Sequence, residues 1–180
     1  YSEDIDKHRQ QLMQLAVSFG QGLQMTNILK DIWDDQRRNM CWLPRDVFEK
    51  YGADLKGITV ADNGAAFQQA LGHLIGVART HLANALRYTL LIPVHETGIR
   101  RFCLWALGMA LLTLRKINSN RAFTSGQEVK ISRRSVKATI LSTNLLTRHD
   151  RLLRLLFRMI AKGLPDEDLP EKINTLTNAA

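Results

Sequence analysis

Gln24-Met25-Thr26-Asn27-Ile28-Leu29-Lys30-Asp31-Ile32-Trp33-Asp34-Asp35, followed at once by Gln36-Arg37-Arg38, is the stretch on which the fold turns. At about 100° per residue, Gln24, Asn27, Asp31 and Asp35 fall on one helical face over roughly three turns. That face is wholly polar. Met25, Ile28, Leu29, Ile32 and Trp33 supply the apolar remainder. The spacing predicts a helix with its back in a core and a row of carboxamides and carboxylates facing a cavity.

The carboxylates break local rules. Asp31 and Asp35 are like charges one turn apart, at a cost of roughly 0.2–0.5 kcal/mol, and Asp34 adds to it. A helix ending near Arg38 also places all three close to its C-terminus, where the dipole disfavours anions by about 0.3–1 kcal/mol each. Violations of this kind are expected where a site requires them. Oxygen-rich side chains one turn apart suit a divalent cation, and magnesium accepts one or two carboxylates, several waters and substrate phosphate. Lys30, Arg37 and Arg38 stand beside the row to meet the remaining phosphate charge. The bland reading is a salt-bridged helix end, and Gln24 and Asn27 on the same face argue against it.

The run Gln-x-x-Asn-Ile-x-Lys-Asp-x-x-Asp-Asp, its basic pair and Trp42-Leu43-Pro44 resemble the second aspartate-rich motif of the squalene and phytoene synthases. The resemblance implies an all-α isoprenoid-synthase fold and a magnesium site that holds a prenyl diphosphate. Asn27, Asp31 and Asp35 are then metal ligands with Asp34 beside them, Asp31 and Asp35 the catalytic pair, Gln24 a cavity-lining group and Lys30 a diphosphate contact. The chain departs from the family at Asn39-Met40, where Gly-Arg is usual, and at Trp42, where tyrosine is. It therefore lacks an arginine that would make one phosphate contact.

Around this motif the chain has 180 residues, enough for one domain with a real core. Its net charge of +8 favours an anionic partner. Cys41 and Cys103 have no metal-ligand spacing and read as core filling in a reduced, cytoplasmic protein. No secretory signal is visible in the sequence, whose start reads Ser2-Glu3-Asp4 rather than a basic patch before an apolar run. The resemblance covers only the later part of the family's domain, so the first aspartate-rich motif is expected upstream. No second Asp-x-x-x-Asp pair is present: Asp4 and Asp6 are too close, and Asp166-Glu167-Asp168 lies in a proline-flanked tail. Residues 1–165 are therefore read as the later part of such a domain and 166–180 as a polar tail. By itself this part is expected to be inactive, completed by an N-terminal half or a second chain.

About six helices are expected. Ser2 caps a first one that runs to about Arg38, roughly 50 Å long, with Gly20 and Gly22 permitting a kink or the close approach of a ligand tail or, more naturally, of another helix. Pro44 opens a short helix that Gly52 closes. Thr59-Val-Ala-Asp62 starts a helix that continues to about Leu91, with Pro93 after it. His73 and His81 on it lack a third partner at metal spacing and read as partly exposed or satisfied side chains. Thr97 to about Asn118 is the most apolar helix. Its thirteen-residue heart, Phe102 to Leu114, falls short of the about twenty that span a bilayer, so it is read as buried.

That helix and Val129-Lys130-Ile131 resemble the squalene-synthase side of the family. The resemblance implies that Phe102, Trp105 and Met109 line a tunnel for prenyl tails, and that Lys130 touches phosphate or a nicotinamide cofactor, NADPH. Ordinary core packing gives the same composition. Ser132 caps a helix to about Leu146, and Thr147 a last one to about Lys162. On the last, Arg151, Arg154, Arg158 and Lys162 oppose Leu152, Leu153, Leu156, Phe157 and Ile160. This is the pattern of a solvated face over a core, and also of a helix lying peripherally on an anionic membrane.

The expected function is therefore a magnesium-dependent prenyltransferase. The resemblance implies head-to-head joining of two prenyl diphosphates, with farnesyl diphosphate first among substrates. An allylic diphosphate would ionise, the second chain would capture the cation, and a cyclopropyl diphosphate would rearrange to a squalene- or dehydrosqualene-type product. A non-catalytic relative acting as an assembly partner is the alternative. A basic nucleic-acid binder is a further one, and no nucleic acid is expected because no recognition motif accompanies the charge.

Overall fold

The computed structural model describes residues 3–167. The Ser2 cap and the tail from Asp168 onward lie outside the described residues. Seven α-helices and one 3-10 turn, with no strand, make up the described part. They are α1 (Glu3–Asp6), α2 (Arg9–Gln36), α3 (Arg45–Lys50), α4 (Ala65–Leu91), α5 (Thr97–Ser119), α6 (Arg133–Leu146) and α7 (Asp150–Ala161), with the 3-10 turn at Val60–Asp62.

The first expected helix is two. His8 N–H donates to the Ile5 carbonyl, and the Lys7 ammonium folds back onto Asp4 at 2.6 Å, closing α1 before α2 begins. From Arg9 the helix is continuous through both glycines. Gly22 serves contact: a Cβ there would stand 2.9 Å from Leu82 Cδ2 and 3.1 Å from His81 Cβ, so its absence brings α2 and α4 together. Nothing crowds Gly20.

The α2–α4 pair holds the centre of the core. Trp33 stacks on Phe67 with centroids 5.5 Å apart, and Phe48 of α3 tilts against the same ring at 4.9 Å. Across the same interface Ser18 Oγ and His81 Nδ1 lie 2.8 Å apart, and Asn84 donates to Ser18 Oγ at 3.1 Å. His81 is thus a satisfied, buried histidine, and burial holds its pKa below the usual value.

Thr59 does not start α4. It forms a reciprocal capping box with Asp62 that closes the separate 3-10 turn, and α4 begins after Gly64. Helix α5 lies against α2 and α4 and carries the α6–α7 hairpin. At 23 residues it is long and apolar enough to cross a membrane, so its thirteen-residue heart understated it. Its neighbours on several sides make it a core helix here. Arg100, wholly buried in it, donates to the carbonyls of Thr147 at 2.9 Å and Ile92 at 2.7 Å and pairs with Asp150.

This arrangement corrects the last helix start. Thr147 turns its hydroxyl back onto the Thr143 carbonyl at 2.6 Å and gives its own carbonyl to Arg100. It therefore ends α6, and α7 begins at Asp150. Ser132 caps α6, its Oγ accepting from Ser135 N–H at 3.1 Å. Cys103 is buried, and burial pushes its thiol up. Cys41 is exposed rather than core filling.

Candidate functional site

One face of α2 is left open by the fold. Met13, Ala16, Val17, Gly20, Gln24 and Asn27 are exposed along it, and Asp31, Asp34 and Asp35 are partly exposed at its C-terminal end. Met13 and Val17 are 68% and 62% exposed, so the face is apolar at one end and acidic at the other. Over 18 residues, the separation from Met13 to Asp31 is about 27 Å. The opposite face, with Leu15, Leu29, Ile32 and Trp33, is buried and holds the row in place.

Local pairs restrain the charged end. Lys30 Nζ lies 3.2 Å from Asp31 Oδ2, and Arg37 pairs with Asp34. Arg38 is exposed. The Asp35 carbonyl accepts from Arg38 N–H at 2.9 Å and Met40 N–H at 3.0 Å, which closes the helix. Between these, Asn39 adopts φ 57°, in the left-handed region. Asparagine is among the few residues that tolerate it. This is the position where the resembled family usually carries glycine, so the departure at Asn39 preserves the backbone turn.

A second segment borders the acidic row, and the sequence reading did not include it. The loop between α5 and α6 comes to rest on the acidic row. A Cβ built on Gly126 would lie 3.0 Å from Asp34 Oδ2, 3.1 Å from the Lys30 carbonyl and 3.3 Å from Asp31 Oδ1. Only glycine allows this approach without displacement. The loop is fixed from both sides. The Phe123 carbonyl accepts from Trp33 Nε1 at 2.7 Å and Asn63 Nδ2 at 3.2 Å. The Glu128 carboxylate accepts from Thr124 Oγ1 at 2.6 Å, Thr124 N–H at 3.0 Å and Ser125 N–H at 3.1 Å, bonds that hold it below the ordinary glutamate pKa. The pattern Ser125-x-x-Glu128 is a turn-closing signal the sequence does carry.

Lys130 is exposed, four residues beyond Gly126, and so within about 14 Å of it along the chain. Phe102 is 69% exposed on α5. It does not line the apolar cavity between α5, α6 and α7. Its neighbour Cys103 packs in a small buried cluster with Leu12, next to Met13 on the open face of α2. Trp105 is partly buried, and its Nε1 donates to Asn144 at 3.0 Å.

Asp31 Oδ1 and Asp34 Oδ2 both border the same point beside Gly126, so two carboxylate oxygens converge there. No group of three or more His, Cys, Asp or Glu converges at metal-binding spacing among the described residues. Two carboxylates are what magnesium takes when water and substrate phosphate fill the rest of its shell. The residues present therefore fit an ion that arrives with its phosphate.

The profile of the squalene/phytoene synthase family matches residues 3–135. The squalene synthase of Saccharomyces cerevisiae is 30% identical over 133 residues, covering 74% of this chain and 29% of that protein. The squalene synthase of Cyberlindnera jadinii is 29% identical over 147 residues, covering 82% of this chain and 32% of its own. The phytoene synthase of Thermus thermophilus is 33% identical over 64 residues, 36% of this chain and 22% of its own. The chain spans about a third or less of the length of these relatives.

Proposed function

The chain belongs to the squalene/phytoene synthase family, and from that premise we propose that it serves a magnesium-dependent prenyltransferase joining two prenyl diphosphates head to head. Farnesyl diphosphate is the first substrate of choice. One observation carries the reading: the open face of α2 runs from apolar Met13 and Val17 to the carboxylates of Asp31 and Asp34 beside Gly126. A prenyl diphosphate has the same polarity, an apolar tail and a charged head.

In this reading Asn27, Asp31, Asp34 and Asp35 hold magnesium, which supplies positive charge to the leaving diphosphate. Lys30, Arg37, Arg38 and Lys130 meet the phosphate oxygens. As the allylic C–O bond breaks, its electron pair leaves with the diphosphate, and fixed positive charge beside it lowers the barrier. Gln24 positions the substrate at the middle of the face. Val17, Met13 and Phe102 meet the tail; all three are exposed, so excluding the water that would quench a carbocation falls to the half expected upstream. No side chain need act as a nucleophile.

The test is turnover of farnesyl diphosphate by the complete protein, the chain together with the half expected upstream, with and without magnesium, the product analysed with and without NADPH. The Asp31→Ala variant is expected to lose turnover by at least about a hundredfold. Unchanged rates in that variant would remove the acidic row from the reaction. A reduced product only with NADPH would assign a nicotinamide step, and a product indifferent to it would exclude one.

A further inference from the structure

The charge of this chain is concentrated in its last third. Lys130 to Lys162 contains nine Lys and Arg and one acid, Asp150, a net +8 that equals the charge of the whole chain. All nine are exposed. Among the described residues none of them forms an ion pair. The one acid is turned onto buried Arg100.

Helix α7 divides into three sectors at about 100° per residue. Leu153, Phe157 and Ala161 face inward, and Arg151, Arg154, Arg158 and Lys162 follow as a basic stripe. The third sector holds Leu152, Leu155 and Met159, which are 46%, 47% and 63% exposed. On α6, Leu141 and Leu145 are 62% and 69% exposed. An apolar cavity of about 280 Å³ opens between α5 and this hairpin, with Leu107, Leu111, Leu156 and Phe157 in its walls. Solvation accounts for the arginines. It does not account for five large exposed apolar side chains gathered on the same hairpin.

We propose that the α6–α7 hairpin docks on an anionic bilayer surface. Leu152, Leu155 and Met159 enter the boundary between headgroups and acyl chains, and the adjoining basic stripe meets lipid phosphates. Charge complementarity selects this occupant: nine exposed bases, unpaired among the described residues, need an anionic partner, and the apolar strip beside them needs a hydrocarbon one. A nucleic acid would use the bases and leave the strip in water. On α5, Phe102 and Leu111 lie half a turn apart, so the docked face is opposite the one that carries Phe102. The inference does not rest on the reaction proposed above.

The experiment is co-sedimentation of the full chain with vesicles of phosphatidylcholine alone and of phosphatidylcholine mixed with phosphatidylglycerol. Two double variants accompany it, each checked for helicity by circular dichroism. Binding is expected only to the mixed vesicles, weakening as salt is added. R151Q/R158Q is expected to bind about 30-fold more weakly. L155E/M159E, both sites exposed and outside the core, is expected to lose binding while keeping all nine bases. No binding to mixed vesicles would overturn the proposal, as would unchanged binding by L155E/M159E, which would reduce the attraction to charge alone. A wild-type dimer that ignores vesicles and that L155E/M159E converts to monomer would assign the face to a second copy instead.

Discussion

At the scale of single residues, Gly126 and His81 show how much one atom or one proton decides. Gly126 lets a loop touch the acidic row of α2, and the Gly126→Ala methyl would meet Asp34 Oδ2 at 3.0 Å and Asp31 Oδ1 at 3.3 Å. The loop must then give by a few tenths of an ångström. Magnesium-dependent diphosphate affinity is expected to fall about tenfold, in line with the cost of small misplacements at a site. Unaltered affinity in a titration would show that the loop takes no part. His81 carries the second case. Burial lowers its pKa in the folded state, so the unfolded chain binds more protons as pH drops below about 6.5. The stability this histidine contributes is therefore complete above about pH 6.5 and lost as pH falls below it. The wild-type Tm is expected to decline between about pH 7.5 and 5.5, and a His81→Gln variant to decline less. Parallel profiles would place the acid sensitivity elsewhere.

Among the elements, helix ends divide into those written in local chemistry and those written by distant contacts. Ser132, Pro44, Gly52 and Pro93 act on their own neighbours, and each boundary they mark is legible from sequence. Thr147 reads equally well as a cap. A guanidinium 47 residues away takes its carbonyl, and no periodicity announces that. The same limit governs the site. Gln24, Asn27, Asp31 and Asp35 share one helix, so a period of 3.6 brings them together on paper. The loop at Gly126 reaches Asp31 and Asp34 because Trp33 Nε1 donates to the Phe123 carbonyl across 90 residues, a closure only the folded chain makes. The Arg100–Asp150 pair is the tie between α5 and α7. Asp150→Ala leaves Arg100 buried with two carbonyl acceptors and no counter-ion, and is expected to cost about 2 kcal/mol, below the roughly 3–5 kcal/mol of a fully buried pair because Asp150 is partly exposed. Chemical unfolding measures this directly. An unchanged midpoint and slope would show that the two carbonyl bonds alone fix Arg100.

For the whole molecule, polarity organises function along one face. Under the proposed reading, the acidic end of α2, the loop pinned beside it and the apolar end at Met13 and Val17 would meet an amphiphilic diphosphate, while the basic hairpin lies against α5. The all-α fold and the acidic row were legible because helical periodicity is strong in this chain. The exposure of Phe102 was not, since a tunnel wall and a core face have the same composition. The central claim is that the acidic row of α2, Asp31 and Asp34 beside Gly126 together with Asp35, holds a prenyl diphosphate through magnesium. Calorimetric titration of the full chain, and of its Asp31→Ala, Asp35→Ala double variant, with a thio analogue of farnesyl diphosphate, with and without magnesium, tests it most directly. Binding that requires magnesium and disappears in the folded double variant is the predicted result; binding by the double variant as tight as wild type, or binding indifferent to magnesium, would contradict it.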